Sequence, residues 1–227
     1  MNNQKAGAVI VAAGEGKRMG GTEKLLALLG GTPLLVRVID VFQACPSVSQ
    51  IVLVVTEKSA EHYRRLVSEE GWPKVSDVCI GGRRRQDSVA AGLRQLDRCQ
   101  WVVIHDGARP LVTVDLIERG LAAAGETGAA VAAVPVTDTI KLAGNDGMVR
   151  NTPPRHSLWA VQTPQVFRSD IITEAYLKAK GDVTDDASLV EQLGYRVKLY
   201  PGAYDNIKVT TPDDLALAEV LWQRYGR

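Results

Sequence analysis

With 227 residues and a formal net charge of +1 at pH 7, the chain is long enough for one sizeable core. It lacks the basic excess of a dedicated nucleic-acid binder, so any anion site must be local. Its three cysteines, Cys45, Cys79 and Cys99, are odd in number and have no metal-ligand spacing. No apolar run approaches the roughly 20 residues of a membrane span, and the Met1–Gly7 leader is too short for a signal peptide, so a cytoplasmic protein with reduced thiols is expected.

The first apolar run, Ala8–Ala13, reads as a buried strand breaking into Gly14-Glu15-Gly16-Lys17-Arg18-Met19-Gly20-Gly21, with Lys24 three residues on. Glycines bring backbone N–H groups close to anionic oxygens, and Lys17, Arg18 and Lys24 add charge beside them. That combination holds a polyphosphate. The loop is not a Walker A, which would end in Gly-Lys-Ser/Thr, and Met19 stands where a dinucleotide loop has its third glycine. Glu57, closing the next apolar run, lies too far on to be the ribose-binding acid of such a loop. The residues favour a nucleotide site of another kind.

Further runs at Ile51–Thr56, Val78–Ile80, Trp101–His105 and Ala129–Val134 read as strands buried on both faces. Amphipathic helices near Pro33–Ala44, Ser59–Glu70, Asp87–Leu96 and Val114–Ala124 alternate with them, and Thr32-Pro33 and Thr113 read as helix starts. This βαβα rhythm predicts one α/β domain over residues 1–227. Its sheet is mostly parallel and twisted, with helices on both faces and ligands beyond the carboxyl ends of the strands. Two motifs sit at such ends. In Gly81-Gly82-Arg83-Arg84-Arg85-Gln86-Asp87-Ser88 the glycines and Ser88 can admit a base or phosphate at a helix start, while the arginine triplet either binds anions or, as charge runs usually do, forms a solvated face. In His105-Asp106-Gly107-Ala108-Arg109-Pro110 the aspartate is placed for a metal or a substrate hydroxyl, or else caps its own loop. His105 reads as a packed strand-end residue rather than a base.

Residues 136–158 break the rhythm. Thr139-Ile140-Lys141-Leu142 and Met148-Val149-Arg150 flank an Ala-Gly-Asn-Asp-Gly turn, which predicts a β-hairpin. A hairpin of this size cannot bury both faces alone. It lies on its own domain or reaches a partner subunit, and the partner is favoured. Then come a strand at Leu158–Gln162, a helix from about Ser169, a helix capped by Thr184, a strand at Val197–Tyr200 and a last helix opening with Thr211-Pro212-Asp213-Asp214. Arg155, Thr163, Thr184-Asp185 and Lys208 flank these elements and are weak signals individually. The sequence offers no Ser-His-Asp or Cys-His arrangement, and His62, His105 and His156 have no metal spacing.

The motifs in order are Ala12-Ala13-Gly14-x-Gly16-x-Arg18-Met19, Gly81-Gly82 with Asp87-Ser88, His105-Asp106-x-x-Arg109-Pro110 and Asp138-Thr139-x-Lys141. Thr163-Pro164-Gln165, Thr184-Asp185 and Asp205-Asn206-Ile207-Lys208-Val209-Thr210 follow. The ensemble resembles the 2-C-methyl-D-erythritol 4-phosphate cytidylyltransferase family over nearly the whole chain. Val11 departs from the proline often found before the two alanines, and Glu23-Lys24-Leu25 replaces the usual Pro-Lys-Gln.

The resemblance implies a Rossmann-like sheet of the nucleotide-diphospho-sugar transferase type, with a β-arm at about 136–158 exchanged between subunits of a homodimer. It also implies cytidylyl transfer from CTP to a polyol phosphate in non-mevalonate isoprenoid precursor synthesis, with Mg²⁺ held mainly by the CTP phosphates. Arg18 and Lys24 would stabilise the transition state, and Arg155 and Lys208 would position the acceptor. Ala12, Ala13, Gly14, Gly16, Gly82, Asp87 and Ser88 would line the cytidine site. Asp106, Arg109, Thr139, Thr163 and Thr184 would hold the acceptor, and Asp106 is the one protein group offered to the metal. A phosphate monoester is already ionised at neutral pH, so the reaction needs positioning and charge neutralisation rather than a general base. Two alternatives are a cytidylyltransferase for ribitol 5-phosphate or a related polyol phosphate and a non-catalytic nucleotide-binding regulator. The joint presence of Arg18, Lys24, Arg155 and Lys208 disfavours the regulator.

Overall fold

The computed structural model describes residues 5–14 and 24–224, with Lys24 represented by its backbone alone. Gly16, Arg18 and the side chain of Lys24 lie outside the described residues. In chain order the strands are β1 (Ala6–Val11), a small pair β2 (Leu28–Leu29) and β3 (Thr32–Pro33), β4 (Val48–Val55), β5 (Val75–Ile80) and β6 (Trp101–Asp106). They continue as β7 (Ala129–Pro135), a second small pair β8 (Leu142–Ala143) and β9 (Val149–Asn151), β10 (Trp159–Arg168) and β11 (Lys198–Pro201). The helices are α1 (Leu34–Ala44), α2 (Glu57–Glu70), α3 (Arg85–Leu93), α4 (Val114–Thr127), α5 (Ser169–Lys178), α6 (Ala187–Gln192) and α7 (Pro212–Arg224).

Seven strands form one sheet in the order β11-β7-β10-β6-β1-β4-β5. β10 runs against β6 and β7, and the other pairings are parallel. The expected mostly parallel α/β sheet is therefore present. Alternate side chains serve opposite faces, as strand geometry requires. Ala6, Ala8 and Ile10 of β1 join Val38, Ile39 and Phe42 of α1 and Leu116 and Ile117 of α4 in one core. Val9 joins Val89 of α3, Ile171 and Ile172 of α5, and Leu189 and Val190 of α6 in the other. Strand β6 is buried at every position. Thr113 caps α4 as expected, its side chain accepting from the Leu116 amide at 3.1 Å.

Several elements differ from the sequence reading, each because a tertiary contact overrides a local signal. β1 ends at Val11, which releases Ala12–Gly14 as a loop. β5 starts at Val75 and forms a partly exposed edge, not a strand buried on both faces. Thr32-Pro33 pairs with β2, and α1 begins at Leu34 with Pro33 as its N-cap, so the proline is not the first helical residue. Helix α6 begins after Asp186, and it is Asp185, not Thr184, that accepts from the Ser188 amide. Strand β10 continues through Thr163-Pro164-Gln165 with a register shift between Val161 and Gln165. The hairpin forms as β8 and β9, with every strand residue exposed. Among the described residues no helix is long and apolar enough to cross a membrane.

The connections after the adjacent strands β1 and β6 diverge from the middle of the sheet: α1 leads to β4 on one side, and α4 leads to β7 on the other. Such a switch point opens a crevice beyond the carboxyl ends of the strands. Gly92 brings α3 close to the face of the sheet. A Cβ at that position would stand 2.5 Å from Val9 Cγ1 and 2.8 Å from Val54 Cγ2. The C-terminal half of α3 is thus packed directly on β1 and β4.

Candidate active site

A cleft of about 600 Å³ opens beyond the carboxyl ends of β1, β4, β5 and β6. Its walls include Ala12, Ala13 and Gly14 after β1, Thr56 and Glu57 after β4, Gly81 to Arg85 with Ser88 after β5, Asp106 at the end of β6 with Ala108 after it, and Lys208. Glu57, too distant in sequence for a dinucleotide loop, is brought to this wall by the adjacency of β1 and β4. The first two phosphate-loop candidates touch. A Cβ on Gly81 would lie 2.4 Å from Ala13 Cβ and 2.7 Å from Ser88 Oγ, so glycine is what lets these loops meet. Ser88 Oγ accepts from the Gly82 amide at 3.2 Å and donates to the Arg84 carbonyl at 3.1 Å, bracing that loop from beneath. Asp87 does not line the cleft. Its carboxylate accepts from the Arg84 amide at 3.2 Å and pairs with the Arg84 guanidinium at 2.6 Å, which caps α3.

The centre of the cleft floor is the Asp106 carboxylate, only 6% exposed. Arg85 Nε donates to Oδ1 at 3.1 Å, Lys208 Nζ lies 2.7 Å from Oδ2, and Arg109 Nε lies 3.9 Å from Oδ2. Burial alone would raise the carboxyl group's pKa. The charges of Arg85, Lys208 and Arg109 outweigh it and hold Asp106 well below the usual carboxylate range. Arg85 has a second anion: its Nη2 is 2.8 Å from Oδ2 of Asp186, whose Oδ1 accepts from the Tyr176 hydroxyl at 2.6 Å. The arginine triplet is therefore not a uniform solvated face. Arg84 turns to Asp87 and Asp182, whereas Arg85 turns inward. Sequence reasoning missed Arg85 and Asp186, because their partners are distant in the chain and no local spacing marks them.

A convergence of backbone loops and cations on one buried carboxylate, with no cysteine among the described lining residues and the Ser88 hydroxyl tied to backbone groups, suits chemistry on an already ionised substrate. Comparison with known proteins agrees. The family model described as 2-C-methyl-D-erythritol 4-phosphate cytidylyltransferase matches residues 6–224. The chain belongs to this family. A relative of that name from Dehalococcoides mccartyi is 51% identical over 222 residues, covering 98% of each chain. Another, from Alkaliphilus oremlandii, is 45% identical over 234 residues, covering 100% of this chain and 99% of its own. The solved structure of 4-diphosphocytidyl-2C-methyl-D-erythritol synthase from Anaerococcus prevotii superposes with a TM-score of 0.86 at 29% identity, covering 98% of this chain and 97% of that one.

Of the residues that the cytidylyltransferase resemblance singles out, the fold gathers Ala12, Ala13, Gly14, Gly82, Ser88, Asp106 and Lys208 on the cleft. Arg109 sits just behind it and donates from Nη1 to the Asn206 carbonyl at 2.8 Å, tying the β6 loop to the segment that carries Lys208. Thr139 and Arg155 lie exposed on the arm, where Arg155 Nη1 donates to the Thr137 carbonyl at 2.9 Å. Thr184 is exposed before α6. None of these three lines the cleft within one chain.

Thr163 is buried, and its hydroxyl is committed. His105 Nε2 lies 3.2 Å from the Arg109 carbonyl, which can only accept, so Nε2 carries the proton. Nδ1 is then bare and accepts from the Thr163 hydroxyl at 3.1 Å, while Thr163 Oγ1 accepts from the Asp106 amide at 3.0 Å. This chain fixes the backbone on both sides of Asp106. It also explains His105, fully buried against Phe42 with ring centroids 5.3 Å apart. Burial lowers the pKa of its imidazole from 6.5 to about 4, with Arg109 and Lys208 adding to the effect. The unfolded chain therefore takes up a proton near pH 6.5 that the folded chain refuses until about pH 4. Stability from this group is complete above pH 6.5 and drains away as the pH falls towards 4. Urea unfolding at pH 7 and pH 4.5 should show wild type losing about 2–3 kcal/mol more than a His105→Asn variant. Equal losses in the two proteins would show that His105 titrates normally.

Proposed function

We propose that this chain transfers the cytidylyl group of CTP to 2-C-methyl-D-erythritol 4-phosphate, releasing pyrophosphate, in non-mevalonate isoprenoid precursor synthesis. The observation that carries the reading is the Asp106 carboxylate set among Arg85, Arg109 and Lys208 beneath two glycine-bearing loops. An acceptor phosphate oxygen forms the new bond to the α-phosphorus as the bond to the β-phosphate oxygen breaks. The nucleophile is already an anion, so no residue need take its proton. Lys208 supplies positive charge for the acceptor phosphate, and Arg18 and the side chain of Lys24, which lie outside the described residues, are assigned to the phosphates of CTP. Backbone groups of Ala12–Gly14 and Gly81-Gly82 face a small pyrimidine edge, and unpaired polar groups in such a site discriminate strongly against the wrong base.

A magnesium ion suits this chemistry as a partner of the CTP phosphates, where it would neutralise charge on the leaving pyrophosphate. Among the described residues no group of three or more His, Cys, Asp or Glu side chains could cage it. Asp106, the residue that the sequence offers, has one oxygen on Arg85 and the other on Lys208. The ion is therefore assigned to substrate oxygens first. Free thiols at Cys45, Cys79 and Cys99 suit the reducing cytoplasm, where we place the enzyme. Pyrophosphate release should be rapid with CTP, Mg²⁺ and 2-C-methyl-D-erythritol 4-phosphate and should cease in excess chelator. It should be slow with UTP or ATP, or with ribitol 5-phosphate as acceptor. Comparable efficiency with ribitol 5-phosphate would move the chain to the alternative acceptor.

The arm supports a homodimer. Leu142, Met148 and Val149 expose 51, 69 and 60% of their surface on a hairpin too small to cover them. A two-fold pairing would cover both arms and bring Thr139 and Arg155 to the neighbour's cleft. Sedimentation should give a dimer at assay concentration. A Thr139→Ala/Lys141→Ala arm variant mixed with a Lys208→Ala variant under subunit exchange should regain part of the lost activity. Confirmed heterodimers without recovery would show that each arm serves its own chain.

A further inference from the structure

Arg85 is the cation for which neither the sequence motifs nor the assigned roles account. It is the first residue of α3, its side chain is 25% exposed, and it spans two buried carboxylates. On one side Nε meets Asp106 Oδ1 at 3.1 Å, and on the other Nη2 meets Asp186 Oδ2 at 2.8 Å. Asp186 is 1% exposed, does not line the cleft and is held from behind by Tyr176 at 2.6 Å. Its neighbour Asp185 is fixed by Gln165 Nε2 at 3.0 Å, and Gln165 Oε1 accepts from the Ala187 amide at 3.1 Å. The start of α6 is thus a rigid anchor.

We propose that Arg85 is a positioning residue for the transfer reaction: anchored on Asp186, it holds one oxygen of Asp106 so that the other oxygen presents Lys208 to the acceptor phosphate. This rests on the function proposed above. The geometry explains why an arginine is used. A planar fork can serve two carboxylates at once, which a lysine's single ammonium does poorly. Both acids raise the pKa of the guanidinium against the opposing pull of burial, so the bridge stays charged. With Arg85 removed, Asp106 keeps Lys208 as its closest cation at 2.7 Å and is free to rotate with it. Lys208 then leaves its place opposite the acceptor. The Gly81-Gly82 loop retains its separate brace through Ser88, so CTP binding has no reason to fail.

The test is steady-state kinetics of the full-length protein with both substrates varied, on wild type, Arg85→Gln, Arg85→Lys and Asp186→Asn, each checked by circular dichroism and urea unfolding. Arg85→Gln should lower kcat/KM for 2-C-methyl-D-erythritol 4-phosphate by about tenfold to a hundredfold, the scale of a small misplacement of a reacting group. The KM for CTP should stay near the wild-type value. Arg85→Lys should recover part of the loss. Asp186→Asn, which touches no cleft surface, should reproduce the same split between substrates, and it carries the test if Arg85→Gln fails to fold. Acceptor kinetics unchanged in folded Arg85→Gln, or losses expressed mainly as a higher KM for CTP, would overturn the positioning role. An inactive wild type would instead remove the functional reading and this inference with it.

Discussion

A single buried anion sets the geometry of this protein's working end. Taking a carboxylate out of water costs several kcal/mol unless opposite charge comes with it. Asp106, at the carboxyl end of a fully buried strand, draws three cations from three separate segments: Arg85 from the start of α3, Arg109 from its own loop and Lys208 from the link before α7. Each cation carries its backbone with it. The close contact of the Ala12–Gly14 and Gly81-Gly82 loops, the tie from Arg109 to Asn206 and the seating of Lys208 all surround that point.

Charge buried in this way is a poor device for stability, since apolar side chains of similar volume often do as well or better. The cores on the two sheet faces supply the stability without it. The arrangement makes sense as a preorganised electrostatic site, whose dipoles and charges are fixed before the substrate arrives. The His105–Thr163 chain serves the same end from below, pinning the amide of Asp106 and the carbonyl of Arg109 with a neutral imidazole. A charged histidine there would compete with Arg109 and Lys208 for the carboxylate, and burial prevents it.

The parts legible in the sequence were those governed by local periodicity and capping. Continuous apolar runs located β1, β4, β6 and β7, Thr113 marked the start of α4, and the Asn-Asp-Gly turn marked the hairpin. Asp106 was visible as a charged residue at a strand end and Lys208 in the link before the last helix, although their 2.7 Å pairing was not. What local signals misassigned depends on neighbours distant in the chain. β5 resembles its buried companions in composition and is an edge only because of its place in the sheet order. Asp87 caps its own helix, and the Thr163 hydroxyl is bonded beneath Asp106, a contact that no local spacing marks. Arg85 was hidden in a run of three arginines, and only the fold separates Arg84, which turns to Asp87 and Asp182, from Arg85, which turns to Asp106 and Asp186.

The organising role of the Asp106 charge can be seen directly in a crystal structure of the Asp106→Asn variant. That substitution keeps the shape of the side chain and removes its charge. With the anion gone, Lys208 Nζ is expected to leave its position 2.7 Å from residue 106 and turn towards solvent, Arg85 to remain on Asp186 alone, and the sheet to stay unchanged. Lys208 and Arg85 found in their wild-type positions around a neutral asparagine would show that packing, and not the buried charge, arranges the site.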